Sequence, residues 1–539
     1  MKNVSLIVLI FLLKLNLQAK DAKIWMKYEI RFESEKIYNN PIYDVKDFKI
    51  TFTSPSGQTL NVNGFWDGGK NWMVRFCPNE TGTWKWVSYC SDKKNSGLHN
   101  KEGEFNCELN NINEDIYKRG AIYHPKGKYY LAYNDGKPFF WLACTAWNGA
   151  LKSGDEEWDF YLQQRKNNNY NVIQLVTTQW RGCDKNAEGL VAFKGCGYIK
   201  INPEFFKRID RKIDKANEKG LIVSPVILWA LPFGQGRYLS PGYTLPIEEA
   251  VLLAKYIVAR YQGNHVVWTL GGDGKYYGSL EDRWKEIGRQ VFSGIDHAPV
   301  TLHPHGSSWI GEEYAGEDWY DIMGYQSSHN NGERVVNWIN KGPMTQMWDK
   351  LKPMPYINME PNYEEIHFKI TDKDVRNAGY WSIFATPLAG ITYGANGIWP
   401  WLAEGELILN HNFAPGVSSW RKSIEFPGSI QMGYLFGFIN RYEWWNFFPA
   451  NKLLIEQPGE EVYNHWISVV KTVDNSTIVS YIPVKCNVKL RNLNNFVYSA
   501  KWFNPVENSY SDAEIIQKDG IISFDQEFEN DMLIVLTKE

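Results

Sequence analysis

Between about Arg119 and Ala450 the chain repeats one pattern eight times: a short apolar run, then a longer segment that is helical in spacing or loop-like. The runs are "PFFWLACTAW", "YNVIQLVTTQW", "LIVSPVILW", "HVVWTLGGDGKYY", "PVTLHPHG", "YDIMGYQSSH", "PYINMEP" and "GITYGANGIW". Such runs read as strands buried on both faces. Three of the intervening segments carry helix signals. "SGDEEWDFYLQQRKNN" opens on Ser153 and Glu156, spaced as a capping box, and sets Trp158, Tyr161 and Leu162 on one face. "INPEFFKRIDRKIDKANEKG" has Asn202 as N-cap, Pro203 at the first helical position and Gly220 as its stop. "IEEAVLLAKYIVARYQG" is amphipathic and ends at Gly263. Alternating strands and helices demand a parallel sheet with crossovers, and eight units fit a closed (β/α)8 barrel. The alternative is a doubly wound open sheet. No G-x-G-x-x-G follows the first run, which disfavours a dinucleotide fold. Pro225 interrupts the third run, which is still read as a strand although a mid-strand proline weakens the pattern.

Both flanks lose the helical period. "KIWMKYEIRF", "FKITFTS", "WMVRFCP" and "TWKWVSYC" alternate with period two and are broken by the turns "SPSG" and "WDGG". "WISVVKTV", "STIVSYIPV", "SAKWFNPV" and "DMLIVLTKE" repeat that character after the barrel. The expected organisation is a β-sandwich over 20–115, the barrel over 116–452 and a second β-sandwich over 453–539. Residues 1–19 read as a secretory signal: Lys2 precedes the apolar run from Val4 to Leu13, and Ala19 is a small residue suited to cleavage. That run is shorter than the ~20 residues of a membrane span. The mature protein is therefore expected to be secreted or periplasmic, without a membrane span. Seven Cys, an odd number at wide spacing with no C-x-x-C, argue against a zinc ribbon or a dense disulfide framework. Cys183 and Cys196 either pair across a loop or stay free.

Composition narrows the partners. A net charge of −3 without a long basic block gives no phosphate-tracking surface, so nucleic acid is not expected. The aromatic fraction is 15%, with 24 Trp, and flat apolar rings suit ligands that are part hydroxyl and part C–H, as sugars are. Most of these rings are expected in the cores.

A (β/α)8 barrel carries its site at the C-terminal ends of its strands. The polar and aromatic residues placed there are Thr145, Trp147 and Asn148 after the first strand, and Gln179 and Trp180 after the second. Trp229 follows the third, Asp273 the fourth, and His303 and His305 the fifth. Gln326 and His329 follow the sixth, Glu360 the seventh, and Asn396, Trp399 and Trp401 the eighth. An acid on the fourth strand would face one on the seventh across such a mouth, and glycoside hydrolysis needs that pair. Gly271 and Gly272 would let the chain turn tightly before Asp273, which partial burial would keep protonated as a general acid. Glu364 and Glu365 read as surface or supporting residues. His303 and His305 form an H-x-H, which raises a metal-dependent hydrolase using His303, His305 and His329; contact with sugar hydroxyls is the preferred role, and no metal or cofactor is expected. The remaining alternative is a non-catalytic glycan-binding or adhesive surface protein on an inactive barrel.

Taken together, "LACTAW", "GGD", "LHPHG", "YQSSH", "MEPNYE" and "AGITYGANGIWPW" resemble the apiosidase-like barrel of glycoside hydrolase family 140 and its relatives. "GFWDGG" and "WMVRFCPNETGTWKW" resemble the small N-terminal domain often attached to such barrels. "YIPV" and "WFNPVE" resemble a C-terminal β-domain that carries a collagen-binding name in related proteins. The resemblance implies breakdown of a polysaccharide or oligosaccharide, with Asp273 as acid/base and Glu360 as its catalytic partner. Cys144 stands where relatives usually carry Asp, an acid that in them would touch substrate, so the resemblance implies the reaction and not the sugar.

Overall fold

The computed structural model describes residues 21–411 and 416–539, and the expected signal segment lies outside them. All eight apolar runs become parallel strands: β1 (Trp141–Thr145), β2 (Val172–Val176), β3 (Ile222–Trp229), β4 (Trp268–Gly274), β5 (Val300–Pro304), β6 (Met323–Tyr325), β7 (Tyr356–Asn358) and β8 (Gly390–Ala395). Each pairs with its sequence neighbour, and β8 pairs with β1. A single bridge from Thr301 to Ile322 draws β5 against the start of β6 and brings the cylinder to near closure. The principal helices on its outside are α1 (Asp155–Asn167), α2 (Pro203–Glu218), α3 (Ile247–Tyr261), α4 (Glu281–Phe292), α5 (Glu333–Lys341), α6 (Asp372–Phe384) and α7 (Pro427–Ile439).

One local detail departs from the sequence reading, and one strand holds despite a proline. The capping box of α1 sits one residue late: Gly154 is the N-cap, and the Glu157 carboxylate accepts its N–H at 2.9 Å. Strand β3 runs straight through Pro225, which lies opposite Leu175. Pairing along both edges and burial of every residue outweigh the one donor that proline lacks.

Along β1 the side chains alternate. Trp141 and Ala143 join Val172, Ile222 and Ile357 inside the cylinder, where a small sheet (Ile122–Tyr123, Leu131–Tyr133, Pro138–Phe139) plugs its N-terminal end. Cys144 points outward to α1, with its Sγ 3.8 Å from the buried Arg165 guanidinium.

The flanks are sandwiches. The first pairs a five-stranded sheet with a three-stranded one, and Phe48, Ile50 and Phe52 alternate inward as period two requires. The second pairs six strands with three. It takes in Phe447–Pro449, before the expected boundary at 453.

Both sandwiches are tied to the barrel by buried charge. Arg75 of the first reaches Asp210 of α2 at 2.8 Å, and Arg260 of α3, itself fully buried, grips Asp210 and Asp67. Asp531 of the second, also fully buried, accepts from Arg376 of α6 at 2.6 Å and from the Tyr481 hydroxyl at 3.0 Å. Cys183 and Cys196 are free, as are the other five thiols. Among the described residues no helix is long and apolar enough to cross a membrane.

Candidate active site

Strand β4 delivers the first acid. Asp273 itself takes the left-handed backbone conformation, φ +51°, and neither Gly271 nor Gly272 does. This corrects the expectation that the glycines make the turn. Their task is space: a Cβ on Gly271 would fall 2.6 Å from the Tyr276 hydroxyl, and one on Gly272 would fall 2.8 Å from the Trp229 ring. The register with β5 slips on both sides of Gly272, a bulge that re-aims the next side chain. The left-handed turn at a non-glycine residue costs about 1–2 kcal/mol, and it sets Asp273 on a rigid strand end.

One imidazole joins this acid to the second. His303 lies opposite Gly272 on β5, fully buried. Its Nδ1 accepts the Asp273 backbone N–H at 3.2 Å, which leaves the ring proton on Nε2. Nε2 lies 3.0 Å from Glu360 Oε2, within ion-pair range but off the line of a good hydrogen bond. Glu360 follows β7 and is 7% exposed. Its other oxygen, Oε1, sits 2.9 Å from His329 Nε2, while His329 Nδ1 sits 2.7 Å from the Pro361 carbonyl. A carbonyl only accepts, so Nδ1 donates.

The two carboxyls are driven apart in ionisation. Burial raises Asp273, the charge of Glu360 adds to it, and together they push it up to about 7 against His303 and Arg181. Burial would also raise Glu360, but His303 and His329 outweigh it and hold the group at about 2. Near neutral pH one acid keeps its proton while the other is charged.

Around the pair, Trp147, Trp180 and Trp229 form a near-continuous floor. Trp229 meets Trp180 at 4.2 Å between ring centroids and Trp147 at 6.0 Å. All three are almost fully buried, so they offer edges more than open faces. Among the described residues, the buried Trp229 Nε1 and Gln326 Oε1 atoms have no hydrogen-bond partner, which suits sugar hydroxyls. Trp399 stands 6.2 Å from Trp180 and 5.0 Å from the His411 ring.

Other expected residues are occupied elsewhere. Asn148 donates to the Gly182 and Pro400 carbonyls and accepts from Trp180 Nε1, so its amide ties loops together. Gln179 is used up on Phe193 and Ala192. Trp401 turns out of the mouth and stacks on Trp420 at 4.5 Å, beside Trp158 and Tyr161 of α1. His305 sits at the rim, 3.2 Å from the Tyr277 hydroxyl, and does not meet His303 and His329. Among the described residues no group of three or more His, Cys, Asp or Glu is arranged to hold a metal ion. Cys144 faces α1, so an acid at that position would meet Arg165 and not substrate. Glu364 is buried, not on the surface, and takes hydrogen bonds from Tyr393 (2.7 Å) and the Gly428 N–H (3.0 Å).

Two residues of the site escaped the sequence reading. Tyr363 accepts from Trp147 Nε1 at 3.0 Å and packs on the His329 ring at 4.1 Å, beside Glu360. Arg181, whose charge acts on Asp273, directly follows Trp180. A basic residue at the C-terminal end of a barrel strand was the available signal.

The family model described as "Apiosidase-like, catalytic domain" matches residues 125–446. The chain belongs to the apiosidase-like family. By that membership it is a glycoside hydrolase. Residues 21–91 match the domain of unknown function DUF5060. Solved structures share the fold of this apiosidase-like hydrolase. One is a glycoside hydrolase with a TM-score of 0.66 at 22% identity, covering 78% of this chain and 98% of its own. Another is a family 5 glycoside hydrolase from Bacteroides vulgatus ATCC 8482, with a TM-score of 0.67 at 21% identity, covering 78% and 94%. A third, solved as a candidate glycoside hydrolase from the same organism, has a TM-score of 0.72 at 14% identity and covers 96% and 100%. No curated protein matches the sequence.

Proposed function

We propose that this apiosidase-like hydrolase acts outside the cytoplasm on a complex polysaccharide, with Asp273 as general acid and Glu360 as nucleophile. The observation that carries the proposal is the opposed ionisation of two carboxyls on either side of His303. Pairs of acids pushed apart in this way divide the labour of glycoside cleavage.

The first step breaks the bond between the anomeric carbon and the glycosidic oxygen. Asp273 gives its proton to that oxygen as the alcohol leaves, and a Glu360 oxygen bonds to the anomeric carbon. In the second step Asp273, now a carboxylate, takes a proton from water, and the resulting hydroxide displaces Glu360. A carboxylate held at about 2 is a weak base toward water, because general bases work best with pKa values near the operating pH. The same carboxylate is a competent nucleophile toward a cation-like centre and a good leaving group from the glycosyl ester. Retention of configuration follows.

The test is turnover on a panel of pectic, hemicellulosic and algal glycans, with proton NMR of the first-formed product. The expected product keeps the anomeric configuration of the substrate; the opposite anomer would assign Glu360 to activating water instead. Export rests on residues 1–19, and N-terminal sequencing of the mature protein should then begin after Ala19.

A further inference from the structure

The Trp floor leaves little open ring surface, yet the rim beside Asp273 carries a good deal of it. Phe233, in the loop after β3, is 49% exposed. Its ring meets that of His305 nearly at right angles, 5.5 Å between centroids at 86°, and about half of the Phe233 side chain stays open to solvent. Tyr277, four residues beyond Asp273, lies 6.0 Å from the same imidazole and holds it by a hydroxyl contact of 3.2 Å. Three consecutive loops, after β3, β4 and β5, thus contribute one ring each. The group is anchored to the acid's own strand, because the His305 N–H donates to the Gly274 carbonyl at 3.0 Å.

The Phe233 loop is also held in place. Gly234 and Gly236 take left-handed turns at φ +81° and +71°. A Cβ on Gly236 would fall 2.7 Å from Asn410 Nδ2 and 2.9 Å from Arg181 Cβ, so the loop lies directly on those residues. A half-exposed aromatic ring on a fixed loop is a prepared stacking surface for a ring of mixed polar and apolar character.

Its position says which ring. The acid protonates the glycosidic oxygen, so the group that departs with that oxygen lies on the acid's side of the mouth. We infer that Phe233, Tyr277 and His305 form the subsite for the leaving group, and that this leaving group is itself a sugar ring. The inference rests on the assignment of Asp273 as general acid. It makes Phe233 a specificity residue: the site selects bonds between two sugars over bonds to small alcohols.

The test compares two substrates for each variant. One is the panel glycan that the wild type cleaves. The other is the glycosyl fluoride of the sugar released from it, whose fluoride departs without a ring and without a proton from Asp273. For Phe233→Ala and Phe233→Leu, kcat/KM on the glycan should fall about tenfold more than on the fluoride, the value of one stacked ring. Phe233→Tyr, which keeps the ring, should restore the ratio. Equal losses on both substrates, or no loss on the glycan, would overturn the inference. A wild type that cleaves no panel glycan would instead bring down the hydrolytic assignment itself, and this subsite with it, before any variant is made.

Discussion

Asp273 and Glu360 carry opposite charge states because their neighbours differ, not because Asp and Glu do. Asp273 has a protein wall and a nearby negative charge; Glu360 has two imidazoles. The pH dependence follows with its signs. Asp273 must be protonated, so kcat/KM should fall as pH rises through about 7. Glu360 must be ionised, so the acid limb should appear only as pH falls toward about 2. Two unperturbed carboxyls would place both limbs near ~4, and a kcat/KM profile from pH 3 to 9 distinguishes the cases on any protein that stays folded. These two acids were legible in the sequence, since an acid closing a buried apolar run is out of place as a solvated charge. Asn148, Gln179 and Trp401 were misread for a common reason: spacing shows which strand end a residue follows, but not which carbonyl or ring its side chain meets. Cys144 belongs here too. Its outward direction predicts that Cys144→Ser keeps kcat/KM within about twofold, whereas a larger loss would return this position to the substrate.

At the level of elements, the eight strands were readable because burial on both faces leaves a nearly unbroken apolar signature. Even Pro225 could not cancel it. The bulge in β4 was not readable. Its glycines suggested a tight turn, but they are there to admit Trp229, Tyr276 and Trp284 against the backbone. Gly272→Ala is a direct probe. The added methyl meets Val226 and Trp229 at under 3 Å, so either the strand or the Trp229 ring must shift. We expect a loss of at least about tenfold in kcat/KM, since small misplacements near the reacting atoms are expensive, with a change in the near-ultraviolet circular dichroism of the Trp floor. The off-by-one cap of α1 has a simple cause: Gly154 offers no side chain, so Ser153 was the only visible cap, while Glu157 bonds the Gly154 backbone directly.

Across the whole molecule, the sequence marked out two β-rich flanks but not how they dock. That depends on long-range charge pairs, and single charged residues on unrelated segments carry no pairing signal. Asp210 joins an arginine from the first sandwich to one from the barrel and is held at about 2 by both, against the cost of burial. Its contribution to stability is present above the ~3.9 of an unfolded Asp and is lost as pH falls through about 2. Asp210→Ala leaves two buried guanidinium groups short of their carboxylate, and urea unfolding should show a loss of about 3–5 kcal/mol. The cylinder brings Asp273 and Glu360, from distant parts of the chain, to either side of His303. The most direct check is turnover by Asp273→Asn and Glu360→Gln on the glycan the wild type cleaves, each confirmed folded by its melting curve. Loss of about 10²–10⁴-fold in both is predicted for a shared acid and nucleophile; wild-type turnover by either variant would contradict it.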